Sequence, residues 1–343
     1  MLAKGTRPAP LASPVSPSPD DLALLQYTSG STSHPRGVEL THAAVIANTR
    51  AIADAITHDR SAGVCWLPLH HDMGLIGGAL TALYCRRPQV LMPPTSFAKN
   101  PARWLQYLSD VQATIAVAPN FAYEYCTRSV ADEDLAGVDL SGLEVALNGA
   151  EPIDAATVEA FEKRFAAWGL RPGTVRPVYG LAESSLAVTF GEPGHARLDV
   201  VDAVALEERG RAEAAGAASR SRTFVCVGRP LPTQEVRVVD ASDAVVPERT
   251  VGQVVVRGPS VMRGYYGRAE ETAEALRGGW LHTGDAGYLE EDGHLVVLGR
   301  LSEVVYTARV QNPDLWDPHF LTGAISTLAA WLITLSRTKR SFT

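Results

Sequence analysis

The sequence has few cysteines, no basic stripe and no long apolar run. Its four cysteines, Cys65, Cys85, Cys126 and Cys226, lie far apart and form no CxxC pair. This usage is typical of reduced, mostly buried thiols in a cytoplasmic protein. The net charge is −7, from 31 basic and 38 acidic residues spread along the chain. That distribution argues against nucleic acid as a main partner.

Neither end of the chain has the pattern of a targeting or membrane segment. Residues 7–19 are rich in proline and serine and lack the apolar centre of a signal peptide, so residues 1–21 are expected to form a flexible lead-in. Near the other end, Phe320–Leu335 includes threonine and serine and is shorter than the about 20 apolar residues that a membrane span needs. We expect a buried helix or an unfolded tail there, and no membrane span.

Two common enzyme motifs are also missing. No GxxxxGK[ST] sequence is present, which excludes a Walker phosphate loop. No GxSxG sequence is present, which argues against a serine hydrolase.

Strand-like and helix-like stretches alternate over residues 22–190. Leu22–Tyr27 reads as a buried strand, Thr41 as the cap of a helix that reaches Ile56, and Asp154 as the cap of a helix that Gly169 terminates. Repeated alternation of this kind predicts an α/β sheet with helices on its faces.

The pattern changes after residue 190. Residues 191–221 are rich in alanine, arginine and glutamate and are expected to form a variable insertion. Short β-like stretches separated by glycine and proline follow over residues 222–305, which favours a small β-barrel or sandwich subdomain. Residues 306–343 match neither pattern and read as an unrelated or frame-shifted tail.

The strongest local signal is the segment Thr28–Gly37, TSGSTSHPRG, which follows the first predicted strand. Small hydroxylated residues and glycines let backbone N–H and side-chain O–H groups approach phosphate oxygens. Arg36 adds a charged fork suited to terminal phosphates. By itself, however, such a loop is more often a flexible turn than a nucleotide site.

Further blocks follow in a fixed order. They are WLPLHHDMG (66–74), NGAEP (148–152), YGLAE (179–183), GPSVMRGYY (258–266), WLHTGD (280–285) and Gly299-Arg300. Together with Thr28–Gly37, this set resembles the acyl-adenylate-forming superfamily and, more narrowly, the fatty acyl-AMP ligases. The resemblance covers about Leu22 to Val305. It implies a layered α/β adenylation-domain core, then a small β-barrel subdomain, and normally a C-terminal lid domain that is missing here.

The resemblance also implies a role for individual residues. The phosphate-binding set is Thr28, Ser29, Gly30, Ser31, Thr32 and Arg36, where the family more often has lysine at the position of Arg36. The adenine side is formed by Gly149, Ala150 and Glu151, with Tyr179 stacking and Gly180 and Leu181 as further cofactor-binding residues. Glu183 is expected to bind Mg²⁺, Asp285 the ribose hydroxyls, and Arg300 the ribose or phosphate side. Thr28, Arg36 and Glu183 are the expected catalytic residues, with ATP and Mg²⁺ as cofactors.

Each of these residues also has a simpler explanation. Tyr179 can be a core aromatic, Glu183 a carboxylate in the first turn of a helix, and Asp285 a turn residue after glycine. Taken singly, each simpler explanation is favoured. Taken jointly, the nucleotide site is favoured.

The His70-His71-Asp72 segment has several interpretations. Adjacent histidines point in different directions and no spaced partners follow, which disfavours a metal site. The resemblance instead places His71 and Asp72 at the mouth of an acyl pocket, with Met73 and Gly77 along its wall. Close helix packing is an equal explanation for the two adjacent glycines, Gly77 and Gly78.

The expected reaction is activation of a fatty acid to an acyl-adenylate with release of pyrophosphate. The acyl group then passes to an acyl carrier protein or a carrier domain of a polyketide or peptide synthase. A fatty acid–CoA ligase is the alternative, and the extra sequence at 191–221 favours the AMP ligase. The family's N-terminal segment and its catalytic lysine have no counterpart here, and Lys339 lies in no motif. We therefore expect impaired activity, with a non-catalytic nucleotide-binding remnant as the further alternative.

Overall fold

A computed structural model describes residues 16–28 and 35–301. In chain order, its strands are β1 (Leu22–Thr28), β2 (Arg36–Thr41), β3 (Gly63–Cys65), β4 (Gln89–Leu91), β5 (Ile115–Ala118), β6 (Val145–Asn148), β7 (Val175–Gly180), β8 (Ala187–Phe190), β9 (Leu198–Asp202), β10 (Ser221–Val225), β11 (Arg229–Pro230), β12 (Glu235–Val239), β13 (Gly252–Arg257), β14 (Gly264–Tyr265), β15 (Leu276–Arg277), β16 (Trp280–Leu289) and β17 (Leu295–Arg300).

The α-helices are α1 (His42–Ile56), α2 (Thr81–Cys85), α3 (Pro94–Lys99), α4 (Ala102–Asp110), α5 (Asn120–Ser129), α6 (Ala155–Phe165), α7 (Ala203–Arg209) and α8 (Ala269–Ala275). A π-helix, Met73–Leu80, runs directly into α2. No described helix is long and apolar enough to cross a membrane. The candidate segment Phe320–Leu335 lies outside the described residues.

The first sheet is seven-stranded, in the order β11-β8-β7-β6-β5-β3-β4. The strands from β4 to β7 are parallel to their neighbours, whereas β8 and β11 are antiparallel additions at the β7 edge. Helices pack on this sheet around an aromatic core in which the Trp66 and Phe97 rings are stacked 3.9 Å apart. The expected α/β core is confirmed.

A second, five-stranded sheet in the order β12-β13-β16-β15 is antiparallel, with β17 paired to β16. This is the β-rich part expected after residue 222. A separate sheet of β1, β2 and β14 joins the chain's first strands to a segment more than two hundred residues later, through Tyr265 opposite Val38. A fourth sheet pairs β9 with β10. One apolar cluster includes Leu40, Ile76, Val188 and Val254, so it packs the other three sheets together.

Local predictions from the sequence agree well with the elements found. The Thr41 hydroxyl accepts a hydrogen bond from the Ala44 N–H at the start of α1, and Asp154 caps α6 by accepting from Ala156. Gly169 ends a short 3₁₀ turn after α6 with a left-handed φ of 86°. The stretch 191–221, expected to be a variable insertion, contains β9 and α7. Sequence reasoning also missed β2, because its alternation is too short to stand out beside the polar loop.

Candidate functional site

The ends of β1 and β2 place Thr28 opposite Arg36. Ser29, Gly30, Ser31 and Thr32 lie outside the described residues. Thr28 and Arg36 are therefore the members of the expected phosphate-binding set that the structure describes. The Thr28 hydroxyl and the Nε of Arg36 are buried and have no hydrogen-bond partner in the described part of the chain. Buried polar groups normally form hydrogen bonds, so these two atoms are suited to bind a polar ligand.

Glu183 lies beside Arg36. It sits in the 3₁₀ turn Ala182–Ser184, just after β7, and is 8% exposed. Its Oε1 is 3.9 Å from Nη2 of Arg36 and accepts a 2.8 Å hydrogen bond from the Tyr265 hydroxyl. Its other carboxylate oxygen accepts no hydrogen bond from the described residues. The site therefore holds a buried carboxylate next to Arg36, with one oxygen that no described residue contacts by a hydrogen bond.

Tyr179 and Asp285 meet on the other side of the site. The Tyr179 hydroxyl donates a 2.6 Å hydrogen bond to Oδ2 of Asp285, and Nε of Arg300 lies 3.2 Å from Oδ1. Burial raises the pKa of Tyr179 well above its usual value, and the Asp285 charge raises it further, so the hydroxyl remains a donor. The backbone N–H of Asp285 donates to the Thr283 hydroxyl at 3.0 Å, which fixes the aspartate at the bend of β16.

The parallel strands explain why these residues converge. Residues 149–151 follow β6 and residues 181–183 follow β7, and the two strands are adjacent and parallel. Loops at the carboxyl ends of parallel strands meet at one edge of a sheet, which is where α/β proteins bind ligands. Gly180 is the last residue of β7, and the buried Leu181 donates its N–H to the Leu186 carbonyl at 2.8 Å.

The NGAEP segment contributes to the site more through its backbone than through its side chains. A Cβ on Gly149 would lie 2.7 Å from Cγ2 of Val178, so glycine is required for the close approach to β7. Ala150 adopts a left-handed φ of 69° and is exposed. The Glu151 carboxylate accepts a 2.5 Å hydrogen bond from the Phe121 N–H in the first turn of α5. Burial raises the pKa of Glu151, and the Phe121 hydrogen bond opposes that shift.

The residue before His71 and Asp72 is hydrogen-bonded to the hairpin of β1 and β2. Nε2 of the buried Gln26, in β1, donates a 2.7 Å hydrogen bond to the His70 carbonyl. Asp72 is 8% exposed and accepts from the Met73 N–H at 2.7 Å, and His71 Nδ1 lies 2.7 Å from its carboxylate. Burial lowers the pKa of His71, but the Asp72 hydrogen bond and charge together outweigh burial, so the pKa is raised.

The expected acyl-wall residues lie in the π-helix. Met73 is buried in the core of the first sheet. A Cβ on Gly77 would lie 3.0 Å from Leu186, and one on Gly78 would lie 2.5 Å from Sγ of Cys65. The two glycines therefore let the π-helix pack closely, as the packing alternative predicted. Such π-helical segments are rare and often occur at functional sites.

Sequence reasoning missed several neighbours of these residues. Tyr265 and Glu271 both contact Arg36, Tyr265 through its ring and Glu271 through a 3.9 Å ion pair. Tyr265 lies within the GPSVMRGYY motif, but a sequence motif does not show which residue a side chain contacts. Gln26 and Glu271 carried no signal, because nothing local distinguishes them from ordinary strand or helix residues.

A separate cluster of metal-ligand type lies away from this site. Glu290, Asp292 and His294 bring ligand atoms within 4.8 Å of one another. Nε of Arg197 is 2.9 Å from Glu290, and Nη1 of Arg249 is 3.6 Å from it. Two guanidinium groups already balance the acidic charge, so we assign the cluster to a structural ion-pair network.

The chain belongs to the AMP-binding enzyme family, whose sequence model matches residues 3–266. The resemblance to acyl-adenylate-forming enzymes is thereby confirmed. The chain is 34% identical over 338 residues to the medium-chain-fatty-acid–[acyl-carrier-protein] ligase TtuA of Teredinibacter turnerae, an alignment that covers 92% of this chain and 51% of that protein. It is 38% identical over 312 residues to the long-chain-fatty-acid–AMP ligase FadD26 of Mycobacterium bovis, covering 85% and 53%.

Solved structures agree with these relatives. One from a study of fatty acyl-adenylate ligases of E. coli and L. pneumophila has a TM-score of 0.81 and 42% identity, covering 84% of this chain and 53% of that one. A fatty acyl-adenylate ligase of L. pneumophila in complex with acyl adenylate and pyrophosphate has a TM-score of 0.80 and 37% identity, covering 84% and 52%. The chain thus spans about half the length of the relatives it matches.

Proposed function

We propose that this site binds ATP with Mg²⁺ and activates a fatty acid as an acyl-adenylate, in the cytoplasm, for transfer to a carrier-protein thiol. The observation that carries the proposal is the convergence of Arg36, Glu183, Tyr179 and Asp285 at one edge of the first sheet, through the 3.9 Å and 2.6 Å contacts described above. The relatives named as fatty acyl-AMP and carrier-protein ligases support the same substrate and acceptor.

Each residue has a defined part in this reaction. Arg36, Thr28 and the adjoining residues Ser29–Thr32 bind the terminal phosphates. Tyr179, with the backbone of Gly149–Glu151, holds adenine, and Gly180 and Leu181 shape the same slot. Asp285, kept in place by Tyr179, accepts hydrogen bonds from the ribose hydroxyls, and Arg300 supports that side.

The residues present fit a divalent cation at Glu183, because one oxygen of its buried carboxylate accepts no hydrogen bond from residues 16–28 and 35–301. When bound, Mg²⁺ offsets phosphate charge. Little acid–base chemistry is required, since a fatty carboxylate is already ionised at neutral pH. Its oxygen forms the new bond to the α-phosphorus, the bond to the pyrophosphate oxygen breaks, and the site's contribution is alignment and charge stabilisation.

The acid is proposed to enter beside His71 and Asp72, with Met73 and Gly77 along its path. The insertion at 191–221, now seen to contain β9 and α7, is proposed to mark the AMP-ligase branch. A carrier protein or a carrier domain of a synthase is therefore preferred to coenzyme A as the acceptor.

The test begins with binding to the purified chain. We expect ATP with Mg²⁺ to raise the melting temperature, and Glu183→Gln to remove the Mg²⁺-dependent part. Glu235→Gln is the matched control, because Glu235 is an exposed carboxylate paired with Arg257 on the second sheet. The absence of any nucleotide-dependent stabilisation in the unsubstituted chain would refute the proposal.

A second measurement distinguishes an active ligase from a non-catalytic nucleotide-binding remnant. Exchange of labelled pyrophosphate into ATP is followed with fatty acids of increasing length, and acyl transfer is compared between a phosphopantetheinylated carrier protein and coenzyme A. Acid-dependent exchange with transfer to the carrier supports the proposed function. Stabilisation by ATP without exchange selects the non-catalytic nucleotide-binding alternative, and transfer to coenzyme A alone selects the CoA ligase.

A further inference from the structure

Tyr265 contacts both charged residues of the phosphate side. Its ring lies under the Arg36 guanidinium, 4.5 Å from the central carbon to the ring centroid. Its hydroxyl donates a 2.8 Å hydrogen bond to Oε1 of Glu183. One side chain, 6% exposed, thus uses its face for the cation and its edge for the carboxylate.

The backbone around Tyr265 is hydrogen-bonded to the strand that carries Arg36 and to Glu183. Tyr265 lies opposite Val38 of β2, and the next N–H, that of Tyr266, donates to the Gly37 carbonyl at 2.8 Å. Three residues before Tyr265, the Met262 N–H donates to the Glu183 carbonyl at 2.8 Å. The segment therefore joins the strand of Arg36 to the turn of Glu183, and Tyr265 lies where the two meet.

The hydroxyl is a dependable donor. An ionised carboxylate can only accept hydrogen bonds, so the Tyr265 hydroxyl is the donor in its bond to Glu183. A hydrogen bond to one oxygen of a carboxylate fixes the plane and direction of the other oxygen. The ring at the same time contacts the Arg36 guanidinium, which also approaches Glu183 and Glu271 at 3.9 Å each.

We propose that Tyr265 is a positioning residue of the nucleotide site, whose hydroxyl orients Glu183 toward the metal and whose ring holds Arg36 for the phosphates. The inference rests on the proposed function, since it assigns Tyr265 to the same ATP–Mg²⁺ site. It predicts a specific defect in metal use when only the hydroxyl is removed.

The experiment measures the Mg²⁺ concentration that gives half of the ATP-dependent thermal stabilisation, in the full chain. Tyr265→Phe keeps the ring under Arg36 and removes the bond to Glu183, and we expect the Mg²⁺ midpoint to rise about tenfold. Stabilisation by AMP without metal should stay as in the unsubstituted chain, which a general loss of structure would not allow.

Tyr288→Phe is the matched control. The Tyr288 hydroxyl donates a 2.7 Å hydrogen bond to the Asp199 carboxylate, and Tyr288 is fully buried outside the nucleotide site. Its loss should lower the melting temperature and leave the Mg²⁺ midpoint unchanged. In a Glu183→Gln background, Tyr265→Phe should add no further change in nucleotide binding.

The outcomes separate this inference from the proposed function. Normal ATP stabilisation with an unchanged midpoint in Tyr265→Phe overturns the role of Tyr265 and leaves the proposed function standing. A further loss in the Glu183→Gln background also overturns it, because the hydroxyl would then act through another group. An unsubstituted chain that ATP does not stabilise overturns both.

Discussion

The Tyr179 hydroxyl donates a 2.6 Å hydrogen bond to the Asp285 carboxylate, across 106 positions of sequence. The bond joins the end of β7 in the first sheet to β16 in the second. It places the proposed adenine residue and the proposed ribose residue side by side. The proposed nucleotide site therefore lies at the junction of the two sheets and depends on their packing.

Removing this bond should affect stability and nucleotide binding together. We expect Tyr179→Phe to lower the free energy of unfolding by about 1.5 kcal/mol, because a hydrogen bond to a charged acceptor is lost. Urea denaturation measures the change, and binding of AMP should weaken in parallel as Asp285 loses its orientation. Tyr84→Phe, at a side chain 48% exposed, is the control and should change neither quantity. Tighter AMP binding in Tyr179→Phe would contradict the assignment.

Arg36 should distinguish ATP from AMP. Because it is proposed to contact the terminal phosphates, Arg36→Gln should weaken ATP binding roughly ten- to hundredfold and leave AMP binding nearly unchanged. Arg36→Lys, which keeps the charge and restores the family's more usual residue, should retain most of the ATP affinity. Isothermal titration with both nucleotides measures this.

Arg263→Gln serves as the comparison for Arg36. Arg263 pairs with Glu39 on the same hairpin through a 2.8 Å contact, but its side chain is 50% exposed and lies outside the proposed phosphate set. Its loss should leave both affinities unchanged. An equal loss of AMP and ATP binding in Arg36→Gln would show that the arginine acts on the fold rather than on phosphate.

Gly149→Ala tests the close approach of the NGAEP segment to β7. The new methyl group would lie 2.7 Å from Cγ2 and 3.0 Å from the carbonyl oxygen of Val178, and overpacking of this kind costs about 1–3 kcal/mol. We expect a lower melting temperature and weaker adenine binding. Gly142→Ala is the matched control, since its nearest contact would be an ordinary 3.7 Å to the Ala113 carbonyl. Equal effects of the two substitutions would contradict this explanation.

His71 should make stability depend on pH. Its pKa is raised in the folded state, where burial is outweighed by the hydrogen bond and charge of Asp72. The stabilisation is therefore fully present below the ordinary value of 6.5 and is lost as pH rises through the higher folded value. Half of the His71 side chain is exposed, so the effect is small.

Urea denaturation between about pH 5.5 and pH 8.5 tests this sign. The stability difference between the unsubstituted chain and His71→Asn should be largest at the acidic end and shrink as pH rises. Asp72→Asn should flatten the same dependence, because the partner that raises the pKa is gone. A difference that grows with pH would show that the pair has the opposite linkage.

Several helix starts could be predicted from the sequence because the contacts that stabilise them join residues only a few positions apart. Thr41 and Asp154 cap helices by bonding the backbone two or three residues on, so a cap followed by an apolar pattern suffices to predict them. The ordered motif blocks identified the family because seven separate patterns have to coincide. The π-helix, in contrast, was predicted only as an apolar helix, since the close packing of its glycines against Cys65 and Leu186 is a tertiary contact that the local pattern does not show.

The sequence by itself determined the α/β class, the helix caps and the family, since each rests on residue type and spacing along the chain. Only the tertiary structure decided the partners: Tyr179 with Asp285, Tyr265 with Glu183, and Glu151 with the start of α5. The physical reason is that these contacts join residues between 30 and 106 positions apart. Their distances depend on how the sheets pack, and no local pattern encodes that packing.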